Sequence, residues 1–141
     1  MHFKRILMAG SMTMFLQVAL TPSPASANES GCTWTNKVDL PTLWIPSSWF
    51  CFSMDNSGSN IDSMRASWRG AKLCRWRIDW ITYYESGAVH WRSTGPTSSG
   101  CSRVTGERYR GAGWAPKWGR ACARVYSHGK WVGGVCHRIE P

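Results

Sequence analysis

The sequence predicts an all-β fold: a small disulfide-rich antiparallel sandwich or partly open barrel of six or seven strands, with at most one short helix near residues 60–67. Two observations lead there. First, Cys74 to Tyr84 alternates with period two, with Cys74, Trp76, Ile78, Trp80, Thr82 and Tyr84 on one side and Arg75, Arg77 and Asp79 on the other. Such alternation in aromatic and β-branched residues marks a half-buried strand, and eleven residues at ~3.3 Å each reach about 36 Å, enough for a central strand. Second, the 141-residue chain carries six cysteines and ten tryptophans but few aliphatic residues, so cross-links and indoles supply much of the stability.

Residues 1–27 have the form of a secretory signal that is cleaved. Lys4 and Arg5 precede an interrupted apolar run from Ile6 to Leu20, and Ala25-Ser26-Ala27 has the small-x-small form of a cleavage site. The apolar run is too short and too interrupted to span a bilayer, which takes about 20 residues. The expectation is a secreted, monomeric protein with one disulfide-stabilised β domain over residues 28–141. Removing residues 1–27 takes Lys4 and Arg5 from the 17 basic residues and none of the 8 acidic ones, which leaves net +7 with histidines neutral.

Taken in order, Asn28 to Gly31 reads as a loose start and Cys32 to Val38 as a strand. Pro41 and Pro46 reduce Leu43-Trp44-Ile45 to a short edge segment. Trp49 to Met54 is apolar around Cys51, and Asp55 to Asp62 is a polar loop that lacks the residue spacing of a calcium site. Asn60 is positioned to cap a turn or two of helix ending at Ser67. After the long strand, Glu85-Ser86-Gly87-Ala88 predicts a hairpin with Ser86-Gly87 at its corner, setting Ile81 opposite Arg92, Thr82 opposite Trp91 and Tyr83 opposite His90. Ser93 to Gly100 is a loop and Cys101 to Tyr109 a strand. Gly111 to Gly119 is irregular and leaves Trp114 and Trp118 at the surface, as the Gly, Pro and Lys neighbours of Trp44 and Trp131 also imply for those rings. A second hairpin turns at His128-Gly129. A bulge at Gly133-Gly134 would set Cys122 opposite Cys136, predicting a Cys122–Cys136 disulfide. Spacing alone leaves the pairing of Cys32, Cys51, Cys74 and Cys101 open.

The cysteine gaps of 19, 23, 27, 21 and 14 residues fit no zinc pattern, and no cofactor is expected. Nucleophile-elbow, zinc-protease, P-loop and dinucleotide motifs are all missing from the sequence. The leading candidate site is instead the charged side of the first hairpin, where Arg75, Arg77, Tyr83, His90 and Arg92 would gather, joined by Arg69, Lys72, Arg108 and Arg110. Guanidinium groups beside rings pair with phosphate or carboxylate and stack on bases or sugars. Trp114 and Trp118 extend the aromatic set.

Ser67-Trp68-Arg69, followed by a cysteine and a hairpin, resembles the small secreted amylase inhibitors, whose Trp-Arg-Tyr turn enters an enzyme cleft. Two residues of the triplet match, and Gly70 stands in place of the tyrosine. The resemblance implies an exposed Trp68-Arg69 turn that plugs a secreted enzyme.

The expected function is non-catalytic binding of an anionic or carbohydrate-rich extracellular macromolecule, such as a cell-envelope polymer or polysaccharide, with an antimicrobial role as one outcome. Inhibition of a secreted enzyme is the alternative. A small nuclease is third, with Glu85 or Glu107, His90 or His137, and Arg92 as the proton-transfer and phosphate-binding groups.

Overall fold

A computed structural model describes residues 27–102, 107–110 and 113–140. The described residues are all-β, in twelve strands: β1 (Ala27–Trp34), β2 (Val38–Leu40), β3 (Leu43–Ile45), β4 (Ser48–Ser57), β5 (Asn60–Gly70), β6 (Leu73–Cys74), β7 (Trp76–Tyr83), β8 (Val89–Thr94), β9 (Cys101–Ser102), β10 (Glu107–Arg110), β11 (Arg120–Ser127) and β12 (Lys130–Arg138). Two four-stranded antiparallel sheets form the body. Sheet I runs β1-β4-β5-β10 and sheet II runs β12-β11-β7-β8; β2-β3 and β6-β9 are two-stranded ladders beside them.

The long alternating stretch is the key to sheet II. Trp76, Ile78 and Trp80 of β7 point inward, at 6%, 1% and 4% exposure, which puts Arg77 and Tyr83 outside. Sheet I answers with Phe50, Phe52 and Met54 of β4 and Met64, Ala66 and Trp68 of β5. The Trp68 and Trp76 rings meet edge to face at 4.3 Å, and Phe52 lies 6.4 Å from Trp80. Burying a side chain of this size contributes roughly 1.5–3 kcal/mol, so the facing indoles and phenyls dominate the interior. Along one side the sheets close on each other. Asn36 donates its backbone N–H to the Val132 carbonyl at 2.6 Å, and the His137 ring stacks on Phe52 at 5.2 Å. On another side Trp114, bridged to Asn60, brings its ring to within 5.2 Å of His90.

All six cysteines are paired, as Cys32–Cys51, Cys74–Cys101 and the expected Cys122–Cys136. Each bridge joins residues directly opposite one another on neighbouring antiparallel strands. The offset that aligns Cys122 with Cys136 arises one residue earlier than expected. Val125 faces Gly133 while Tyr126 faces Trp131, so Val132 is the extra residue.

Four other expectations are corrected. Residues 60–67 form no helix; they are the first part of β5. Much of the polar loop before them is strand, and Ser57 pairs with Asn60 around Gly58 at φ +61°. Residues 28–31 are not loose but pair with β4 from Asn28↔Asp55 onward. The first hairpin turns through three residues, Glu85-Ser86-Gly87, closed by the Tyr84 N–H on the Ala88 carbonyl at 2.9 Å. Gly87 at φ +89° supplies the left-handed corner that such a loop uses. His90 is then an extra residue: Tyr83 faces Val89, while Thr82 still faces Trp91 and Ile81 still faces Arg92. Two one-residue offsets cancel, so the predicted register holds for most of the ladder and fails at His90.

Candidate functional site: an arginine and tyrosine face

The outer side of sheet II is built from residues that alternate with the core positions. On β7 these are Arg77, Asp79, Ile81 and Tyr83, and on β11 Arg120, Cys122, Arg124 and Tyr126, alternating with buried Ala121, Ala123 and Val125. The register lays them out in rows. Arg138, Arg120 and Tyr83 form one row, Cys136, Cys122, Ile81 and Arg92 the next, then Arg124 with Asp79, and last Trp131, Tyr126 and Arg77. One sheet face thus collects Arg77, Arg92, Arg120, Arg124 and Arg138.

Their contacts hold them in place. Asp79 is fully buried and takes two guanidiniums, from Arg77 Nε at 3.1 Å and Arg92 Nη2 at 2.8 Å. The hydrogen bond from Arg92 to this carboxylate holds the guanidinium pKa above the usual arginine value, against the opposing effect of desolvation. Arg77 also lies 4.3 Å over the Tyr126 ring. Arg124 Nη2 donates to the Tyr83 hydroxyl at 2.8 Å, and Arg120 lies 5.8 Å from the same ring. The Arg124–Tyr83 bond crosses the row of Ile81 and Cys122, which explains why both are 1% exposed on an outer face. Arg138 sits 5.2 Å over Trp118 and 3.8 Å from Glu85. Among the described residues one buried carboxylate and one at the rim face five guanidiniums, so the surface is strongly positive, and four of the five cations lie against rings.

Four of the residues singled out from sequence meet here or at its margin: Arg77, Tyr83, Arg92 and, through Arg138, Trp118. Arg75 lies at the end of β7, where the face runs into a cavity of about 410 Å³ lined by Leu43, Arg75, Arg77, Thr97, His128 and Gly129. The others go elsewhere. His90, displaced by the bulge, turns to the opposite side of sheet II, with Nδ1 3.1 Å from the Thr82 hydroxyl and its ring 5.1 Å from Tyr84 and 5.2 Å from Trp114. Trp68 is 0% exposed and lies within a strand, so the exposed tryptophan implied by the inhibitor resemblance is corrected to a core residue. Arg69 is exposed on sheet I, where Trp49 is its register partner, and Lys72 lies near it beside a groove shared with Trp44. Arg108 and Arg110 belong to β10, also in sheet I. Arg120, Arg124, Arg138 and Tyr126 were not singled out, and Trp131 was expected only as a surface ring, which it is at 54% exposure. The signal for Arg120, Arg124 and Tyr126 was their period-two alternation with Ala121, Ala123 and Val125.

His90 and Arg92 face opposite sides of β8, and His137 packs on Phe52 with Nε2 3.1 Å from the Phe52 carbonyl. Neither histidine named for nuclease chemistry therefore shares a face with Arg92, and the Glu107 side chain lies outside the described set. Among the described residues no cluster of His, Cys, Asp or Glu is arranged to hold a metal ion, and no helix is long and apolar enough to cross a membrane. Comparison with known protein families, curated proteins and solved structures finds no match to this chain.

Proposed function

We propose that this is an exported, monomeric, non-catalytic binding protein whose sheet II outer face takes an anionic extracellular polymer. The observation that supports this reading is the set of five arginines on one sheet face, held by the Tyr83, Tyr126 and Trp118 rings and, among the described residues, by two carboxylates. Guanidiniums in that setting are desolvated cheaply and meet phosphate, sulfate or carboxylate groups in a forked geometry. Three disulfides fit an oxidising compartment, while the segment expected to be a cleaved signal, apart from Ala27, lies outside the described residues.

Retention on immobilised polyphosphate and on a sulfated polysaccharide tests the reading. With four or five arginines meeting anions, affinity falls about a hundredfold or more between roughly 50 and 200 mM salt. Converting Arg92, Arg120 and Arg124 together to Gln abolishes retention while the protein stays folded. A folded triple variant that binds as the parent does removes this face as the binding surface.

A further inference from the structure

The cavity at the end of the face has an unusual construction. Among the described residues three that are not glycine have positive φ, and two of them line this one cavity: Arg75 at φ +45° and His128 at φ +49°. His128 and Gly129, at φ +75°, form a two-residue turn closed by Ser127 and Lys130. Such a turn favours Asn-Gly. Arg75 interrupts the chain between β6 and β7 in a conformation where glycine is the favoured residue.

The surroundings clamp both residues. Arg75 donates its N–H to the Gly100 carbonyl at 3.1 Å and accepts from the His128 N–H at 3.2 Å. Its neighbour Cys74 is tied to Cys101, and the Cys74 carbonyl accepts from the Ser127 hydroxyl at 2.7 Å. The side chains, by contrast, are unengaged: no ion pair or side-chain hydrogen bond within the described residues uses the Arg75 guanidinium or the His128 ring. Backbone strain that a rigid frame maintains, carrying polar groups without partners into one cavity, is the arrangement expected of a binding site.

We infer that the Arg75–Arg77–His128 cavity is a subsite for one tetrahedral oxyanion group, a phosphate or sulfate ester of the polymer bound across the face. Arg75 and Arg77 supply guanidinium donors, the His128 ring and Thr97 hydroxyl add further polar contacts, and Leu43 closes the apolar side. The inference rests on the polyanion reading and narrows it: the face holds the chain of charges, and the cavity fixes one of them.

The experiment titrates inorganic phosphate, and separately inorganic sulfate, into the oxidised protein while backbone amide resonances are followed. Saturable shifts at Arg75, Arg77, His128 and Gly129 are expected, and the anion that saturates at lower concentration names the ester. Arg75→Gly and His128→Asn each weaken phosphate binding about tenfold. The thermal midpoint of both variants stays level or rises, because glycine and asparagine suit those backbone positions better. Shifts that do not saturate, or that persist unchanged in Arg75→Gly, overturn the subsite. A midpoint that drops in both variants also overturns it, by showing that the side chains serve the fold. Polyphosphate retention that depends on Arg92, Arg120 and Arg124 but not on Arg75 leaves the face in place and removes only the subsite.

Discussion

Asp79 is the residue on which the basic face turns. It is the only carboxylate within the rows of sheet II, wholly buried, and shared by two guanidiniums. Its removal has two effects of opposite sign. Asp79→Asn leaves Arg77 and Arg92 competing for a neutral acceptor, which costs about 1–3 kcal/mol of stability, discounted because both arginines are partly exposed to water. The same change adds a net positive charge to the face, so polyanion binding strengthens. A urea midpoint that falls while retention on polyphosphate rises is the expected pair of results. The Arg92 shift fixes the pH behaviour. A guanidinium whose pKa is raised on folding contributes its stability below the ordinary arginine range and loses it only as pH climbs through the raised value. The contribution is therefore constant across neutral pH. At Arg75, holding a non-glycine residue in the left-handed region costs roughly 1–2 kcal/mol, a deficit that Arg75→Gly relieves.

Each strand has its own account of what the sequence could and could not say. β7 was legible because its alternation is strong and both neighbours share its phase. β5 was misread for a physical reason. Its register shifts between Asp55 and Asn56, so Asp62 is an extra residue, and the inward apolar side chains fall at Ile61 and then at Met64, Ala66 and Trp68. The step of three across the bulge breaks the period-two pattern that marks a strand, and Asn60 at the head of the segment reads as a helix cap. His90 failed for the same reason, since a single extra residue reverses a side chain and no local signal marks it. The Cys122–Cys136 pair was legible because a turn fixed the local register. The other two bridges depend on strands that meet only in the folded molecule. Between β7 and β11 the limiting residue is Gly119: a Cβ there would overlap the Tyr83 carbonyl oxygen. Gly119→Ala forces the strand end away from β7 and lowers stability by about 2–4 kcal/mol, read from the urea midpoint. Replacing Cys122 and Cys136 by alanine opens a link across 14 residues and costs about 3 kcal/mol in the same assay.

Over the whole molecule, charge and cross-linking are distributed differently. Five arginines share one outer surface, whereas the sulfur bridges are shared out. Cys32–Cys51 lies within sheet I, Cys122–Cys136 within sheet II, and Cys74–Cys101 in the small ladder beside them. No bridge runs from one main sheet to the other. The oxidised protein is thus two ribbed slabs with an unstitched seam, held by side-chain packing and by hydrogen bonds such as that between His137 and the Phe52 carbonyl. A force applied across that seam would part the slabs without breaking a covalent bond, and each would come away still braced along its own strands.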